Sequence, residues 1–575
     1  MNQVLPSSTG NAERLTLGVL ISGIAALALS DFVSPLYWSL PAIAALLRWY
    51  IGTRFSLTEM QASFIGWFGF LWVGLELVLG RAWVVAFTDF LLILALAVIV
   101  ETPTPRNHLH RMLTGLFLML AGAVLTDSVL YAIPLLALMW FTWRSAICLY
   151  GLQQPGGDLP IHTLAYDLRG TLVMLLIALL MFIALPRFDV QSKLQPTQPR
   201  KATTGFSDHV QLGDFARELD ATVVLRAEAT DGNVKKFQKQ ILGRYWRGVT
   251  LSQYSNHGWK QRPHKTVKTW AATDSIIFSK STDSGYAIAV FREASDHPYI
   301  FLPDGVRAID KHDNQIKFDD LLQLRFNKAP ARRLRLSMQL DALSNTPVFH
   351  PAERYLSKQM PMPSESDAST VPNDLKDWVK NSISPNNTPS QSLHILMREL
   401  QSWTYDLHAP IDTEHPLASF LKSKRGHCEL YATTLALAAR VLGIPSRVIN
   451  GYYGGEWNDV GYFLVLREQH AHSWVEVWQG GQWQRMDPTP ASRWQLSAVQ
   501  FPAFDAVWES VKLSWYRYIL EFQDNDREKL AEHLITWLKQ LYPWILLIFS
   551  IIFTGMYLRK KVHLMTRFRS PKARQ

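Results

Sequence analysis

Cysteine is nearly absent: the 575 residues include two, Cys148 and Cys428. That scarcity excludes a disulfide framework, and no CxxC spacing suggests a zinc site, so neither a metal nor a cofactor is expected. A second scarcity is local. Charged residues are sparse from 15 to 185, where Leu, Ala, Ile, Phe and Trp dominate, whereas 187–540 have the composition of soluble domains. The mean hydropathy near zero hides this division. Acidic residues are missing from 559–575, which holds seven Lys and Arg. That short tail accounts for most of the net charge of +10, so the rest is nearly neutral and no nucleic-acid partner is expected. A basic tail directly after an apolar run instead suits the anionic face of a lipid bilayer.

Apolar runs at about 15–30, 32–51, 61–79, 83–100, 112–126, 128–147, 170–186 and 541–558 approach the length of a membrane-spanning helix. Ala28-Leu-Ser30 gives the first the look of a signal peptide, but further spans follow at once, so it reads as retained. With the N-terminus inside, Arg14, Arg48, Arg54, Arg106, Arg111, Arg144, Arg169 and the basic tail all fall on the cytoplasmic side. The short outer loops then carry only Arg81. Seven spans before it and one after it place 187–540 outside the cytoplasm. Glu76, Asp89 and Asp127 sit within or beside spans; anchoring accounts for the spans, so these acids read as interfacial or helix-packed carboxyls.

The expected organisation is a multi-pass α-helical membrane domain (1–186), an extracytoplasmic β-rich region (187–356) and an α+β domain (357–502). Amphipathic juxtamembrane helices (503–540), a C-terminal transmembrane helix (541–558) and a basic cytoplasmic tail (559–575) follow. Alternating runs such as Ala221-Thr-Val-Val-Leu-Arg-Ala-Glu228 and Arg333-Leu-Arg-Leu-Ser-Met-Gln-Leu340 predict an all-β sandwich or barrel over 205–345. The period turns helical through 373–382 and 389–402.

The two cysteines are assigned to opposite sides of the membrane, so they cannot pair. An unpaired thiol in an oxidising compartment is either buried and inert or retained for work. In Lys424-Arg-Gly-His-Cys428, Gly426 permits a turn; Ala- and Leu-rich 430–442 propagate a helix; Gly443 and Pro445 end it. Cys428 therefore falls at a helix N-terminus, where the macrodipole favours thiolate and backbone N–H groups favour an oxyanion. Further on, Gly480-Gly481 separates two alternating strands and predicts a hairpin that pairs 479 with 482. Counting outward pairs 474 with 487 and puts His472 one diagonal step from Asp487 on the same face, within reach of an imidazole and a carboxylate. His472 is thus the candidate base and Asp487 its orienting partner, while His470 and His427 read as polar neighbours. Gly451-Tyr-Tyr-Gly-Gly455 lacks a following Lys-Ser/Thr, so it reads as a flexible loop beside the cleft, not a phosphate loop.

Gly426-His-Cys-Glu-Leu-Tyr-Ala432, Leu442-Gly-Ile-Pro-Ser-Arg-Val-Ile-Asn-Gly-Tyr-Tyr-Gly-Gly455, His472-Ser-Trp-Val-Glu-Val-Trp478 and Met486-Asp-Pro-Thr489 together resemble the transglutaminase-like superfamily, whose core is papain-like. Trp403-Thr-Tyr405 and Phe420-Leu fit the same pattern. With the spans, Thr204-Gly-Phe-Ser-Asp208 and Tyr245-Trp-Arg-Gly248, the whole chain is similar to the membrane-bound transglutaminase-like protein A type of bacteria. The resemblance implies a Cys428–His472–Asp487 triad, with Tyr405, Trp403, Trp474 and Tyr452 expected along the substrate cleft. It further implies an inner-membrane thiol acyltransferase acting on peptide or protein amides in the cell envelope. A cysteine peptidase or amidase, or a non-catalytic binder of peptides or cell wall, remains the alternative.

Overall fold

The computed structural model of the chain describes residues 7–152, 168–176, 206–341, 369–491 and 502–520, apart from short interruptions at 31, 55, 127, 213–219, 231–233, 272–273, 279–284, 311–314 and 331–332, plus single positions between 532 and 554. The span expected at 541–558, most of that at 170–186, Asp127 and the basic tail lie outside the described residues. The chain forms two compact units: Met1–Pro196 with Val511–Gln575, and Thr197–Ser510.

The first unit contains α1 (Ser7–Ala28), α2 (Pro35–Ile51), α3 (Glu59–Val78), α4 (Trp83–Val100), α5 (Pro105–Leu125) and α6 (Ala132–Leu152). Among the described residues, five candidate spans are long and apolar enough to cross a membrane. The remaining helix, α2, has 17 residues and an internal proline, Pro41. α1 and α5 approach backbone to backbone: a Cβ on Gly23 would lie 2.6 Å from the Gly115 carbonyl oxygen, and one on Gly115 2.8 Å from that of Val19. α3 turns Phe64, Trp67, Phe68 and Leu71 outward, as contact with hydrocarbon requires. The embedded acids have partners. Tyr37 donates to Glu76 at 2.7 Å, Arg81 lies 3.0 Å from Asp89, and Arg48 donates to Glu13 at 2.7 Å.

The second unit departs from the expected plan in an instructive way. Its five-stranded sheet runs Gln482–Met486, Ala471–Gln479, Ser446–Tyr453, Tyr245–Leu251 and Leu302–Pro303. Its seven-stranded sheet runs Glu456–Asn458, Phe463–Arg467, Val223–Ala229, Tyr286–Arg292, Leu334–Leu340, Val306–Ile309 and Ile276–Ile277. Both sheets are antiparallel and both mix strands from the β-rich region with strands from the α+β region. One hydrophobic core serves them all. The boundary expected near 356 therefore separates stretches of sequence, not cores. A sheet ending at Ser446–Tyr453 would leave an open edge beside the presumed site, and the β-rich region supplies the strand that closes it.

That closure depends on a close backbone approach. Gly451 pairs with His472 on one side and Arg247 on the other. A Cβ on it would lie 2.1 Å from the Trp246 carbonyl oxygen and 2.8 Å from Trp474. The expected flexible loop at 451–455 is thus corrected. Residues 451–453 are central strand, and only Gly454 and Gly455, at φ 82° and 120°, make the turn. A helix, Val234–Ile241, also interrupts the expected all-β region and buries Phe237 and Ile241.

Across the closing strands, Arg247 donates to Glu476 at 3.0 Å and Arg447 donates to it at 2.8 Å, all three being buried. Removing the anion would leave two buried guanidinium groups facing each other. Glu476→Ala should destabilise the second unit by about 3–5 kcal/mol. Because β-rich and α+β strands share the sheet, one cooperative unfolding transition, followed by tryptophan fluorescence, should move to lower denaturant. Two separate transitions would contradict the shared core.

Candidate active site

The turn before Cys428 is built by small, tightly held pieces. The helix Pro416–Ser423 stops at Lys424, which adopts a left-handed conformation (φ 53°). Arg425–Gly426 then pairs in parallel with Thr404–Tyr405. A Cβ on Gly426 would lie 2.8 Å from both Leu430 and Phe420, so only glycine lets the chain pass there without displacing them. His427 is the extended N-cap residue, and Cys428 opens the helix Cys428–Val441, half-buried. First-turn amides Leu430 and Tyr431 bond back to the His427 carbonyl. The helix ends at Gly443 (φ 74°), as its sequence requires. It buries Leu430 through Arg440 and packs on the strand that carries His472.

The hairpin has the register derived from its sequence: Gln479 pairs with Gln482, Trp478 with Trp483 and Val475 with Met486. Gly480 and Gly481 have φ of 62° and 79°, the left-handed pair that a twisted two-residue turn demands. The diagonal step is made as expected, with His472 Nε2 2.7 Å from Asp487 Oδ2. His472 is 2% exposed.

Asp487 is the electrostatic centre of the site. Burial pushes its carboxyl up, but His472, the Tyr245 hydroxyl (2.7 Å to Oδ2) and the Thr489 amide (2.9 Å to Oδ1) outweigh that cost and hold it at about 2. An ionised Asp487 can only accept, so Nε2 of His472 is its protonated nitrogen. Behind Tyr245, the Arg485 guanidinium lies 3.9 Å from the ring centroid and is held by Asp304. Tyr245, Arg485 and Asp304 were not expected here. No local pattern marks Tyr245 or Asp304, because the Tyr245–Asp487 contact spans 242 residues and depends on sheet closure, whereas Arg485 stands on the hairpin itself, two residues before Asp487.

Among the residues expected along the cleft, Trp474 is 2% exposed and its ring centroid is 6.1 Å from that of His472. Tyr405 lies on the strand paired with the pre-Cys428 turn. Trp403 and Tyr452 are corrections, because both are core. Trp403 packs edge-on against Phe420 at 5.2 Å. Tyr452, 1% exposed, lies against Phe206 and Phe301 and donates to Glu468 at 2.9 Å. His470 accepts from the Arg467 amide at 2.9 Å and braces the entry to its strand, while His427 Nδ1 lies 3.9 Å from Glu429.

The depressed Asp487 has a consequence for stability. Its folded value of about 2 lies below the unfolded value of about 3.9, so it contributes about 2–3 kcal/mol, fully present above about pH 4. That contribution disappears as pH falls toward about 2. The stability difference between the native chain and Asp487→Asn should therefore shrink on acidification, measured by denaturant unfolding at several pH values. A difference that stays constant with pH would contradict this electrostatic assignment.

Comparison with known proteins gives two matches along the chain. The TgpA N-terminal domain matches residues 17–346, and the transglutaminase-like superfamily matches 376–488. The protein-glutamine gamma-glutamyltransferase of Pseudomonas aeruginosa is 27% identical over 467 residues, covering 75% of this chain and 66% of that protein, just under two thirds of its length. The uncharacterized protein YebA of Bacillus subtilis is 32% identical over 92 residues, covering 15% of this chain and 12% of its own. The crystal structure of the periplasmic domain of TgpA from P. aeruginosa bound to ethylmercury is 26% identical, with a TM-score of 0.37, covering 51% of this chain and all of that one. This chain, with apolar helices and a β-rich region preceding a transglutaminase-like core, belongs to the TgpA family.

Proposed function

We propose that the chain is a membrane-anchored thiol acyltransferase that uses Cys428, His472 and Asp487 on protein-bound glutamine amides outside the cytoplasmic membrane. The observation that carries this reading is the His472–Asp487 pair at 2.7 Å, on a strand packed against the helix that Cys428 opens. The relative from P. aeruginosa, named for this reaction, agrees with it.

The steps follow from the charges. With Nε2 committed to Asp487, Nδ1 of His472 is the nitrogen that exchanges a proton with Cys428. The thiolate attacks the glutamine carboxamide carbon, and the positive N-terminal end of the helix dipole at Cys428 stabilises the oxyanion. As the tetrahedral adduct collapses, the C–N bond breaks; the imidazolium protonates the leaving nitrogen and ammonia departs, leaving a thioester on Cys428. A primary amine then attacks the thioester, His472 takes its proton, and an isopeptide bond forms as the thiol is restored. Asp487 keeps the imidazole oriented and offsets its positive charge throughout.

The membrane arrangement belongs to the same proposal: an inner-membrane protein with both termini cytoplasmic and the second unit outside, as the Lys/Arg asymmetry favours. In a Cys148→Ser, Cys428→Ala background, which has no other thiol, Asn386→Cys should be labelled by an impermeant maleimide in intact spheroplasts, and Arg106→Cys only after permeabilisation. The reverse pattern would overturn the orientation.

For the chemistry, the detergent-solubilised full chain should react rapidly at Cys428 with a thiol-directed electrophile at neutral pH. It should also incorporate a fluorescent primary amine into a glutamine-containing protein. His472→Ala should lower both by about 10²–10⁴-fold. A thiol no faster than free cysteine, and indifferent to His472, would sink the proposal.

A further inference from the structure

The β-rich region does more than close the sheet edge: it reaches the candidate triad. Tyr245 opens the strand Tyr245–Leu251, and its hydroxyl donates to Asp487 Oδ2, the same oxygen that receives His472 Nε2. Both contacts are 2.7 Å. The ring is fixed on several sides. Tyr453 lies 4.1 Å away between centroids, Trp474 is edge-on at 5.1 Å, and the Arg485 guanidinium is 3.9 Å from the ring centroid. Asp304 completes the clamp by holding Arg485 through its side chain while its amide bonds the Tyr245 carbonyl at 2.9 Å. A hydroxyl held this firmly beside an ionised carboxylate fixes that carboxylate's position and draws part of its charge away from the histidine.

Resting on the acyl-transfer reading above, we propose that Tyr245, clamped by Arg485 and Asp304, is a positioning residue that sets the orientation and basicity of His472 through Asp487. The base of the thiol site is thereby tuned from the β-rich region. Tyr245 acts at one remove, since the group it contacts is the carboxylate and not the reacting atoms.

The physical expectation is directional. Without the hydroxyl, Asp487 concentrates more charge on the imidazolium Nε2–H, which holds its proton to higher pH. Simultaneously the carboxylate loses one of the donors fixing it, so the imidazole is less well aimed at each proton transfer. Removing a hydrogen bond to a charged group corresponds to about a tenfold effect or more.

The test compares the full-length chain with Tyr245→Phe, which keeps the clamped ring and removes one oxygen, and with Arg485→Lys, which keeps charge but loses the planar contact. The wild-type chain and Cys428→Ala are assayed first for amine incorporation, so an inactive wild type rejects the acyl-transfer reading itself. With an active wild type, Tyr245→Phe should lower kcat about tenfold with KM unchanged. It should also move the alkaline limb of Cys428 labelling to higher pH, with Arg485→Lys shifting in the same direction by less. An unchanged kcat and pH profile in Tyr245→Phe would overturn the proposal. A loss accompanied by a lowered unfolding midpoint and an unmoved pH limb would also overturn it, by showing a structural role only.

Discussion

The second unit depends on one close approach, the pairing of Tyr245–Leu251 with Ser446–Tyr453 across Gly451. Strands of ordinary side chains pair without bringing a Cβ within 2.1 Å of a neighbouring carbonyl, so that position tolerates only glycine. Much of the unit's polar architecture follows from that contact. It sets Arg247 beside Glu476 and Arg447, brings Tyr245 to Asp487, and lets Phe206 pack between Phe301 and Tyr452. A buried Arg–Glu–Arg cluster is costly to desolvate and adds little net stability, so its value here is registry. It opposes a one-residue slip of Tyr245–Leu251 along the sheet, which would turn Tyr245 away from Asp487.

The parts of the site legible in the sequence were those governed by local rules. A Gly-Gly turn forces a hairpin register, and that register by arithmetic put His472 and Asp487 on one face, where they lie 2.7 Å apart. Glycine before Cys428 and Gly443 after it marked the ends of its helix. What escaped was non-local. Nothing around Tyr245 or Asp304 announces them as neighbours of Asp487, since both precede the hairpin by well over a hundred residues, and Arg485, though on the hairpin, gains its part only through them. Trp403 and Tyr452 misled for a related reason. Aromatic residues next to a functional motif fill core as readily as they line a cleft, and only the sheet's layering decides which.

In the helical unit the apolar runs predicted α1 to α6 to within a few residues at most ends, because helices in hydrocarbon must satisfy their own backbone. Their charges obey the same economy. Arg81 reaches Asp89, Tyr37 reaches Glu76 and Arg48 reaches Glu13, so groups that sequence alone left solitary are joined across helices. Pairings of this kind fix helix rotation, and the glycines of α1 and α5 then allow the backbones to touch.

The division of labour around Asp487 explains why the β-rich region and the transglutaminase-like core share strands instead of meeting as separate domains. A buried carboxylate stays ionised only when several donors converge on it. Its own hairpin supplies two of them, His472 and the Thr489 amide. The third, Tyr245, must be rigid to be useful, and a strand hydrogen-bonded into the same sheet is more rigid than a side chain presented across a domain interface. Placing that donor on a shared sheet couples the integrity of the β-rich fold to the protonation of the histidine. A site completed in this way acquires its full charge balance only when both regions have folded.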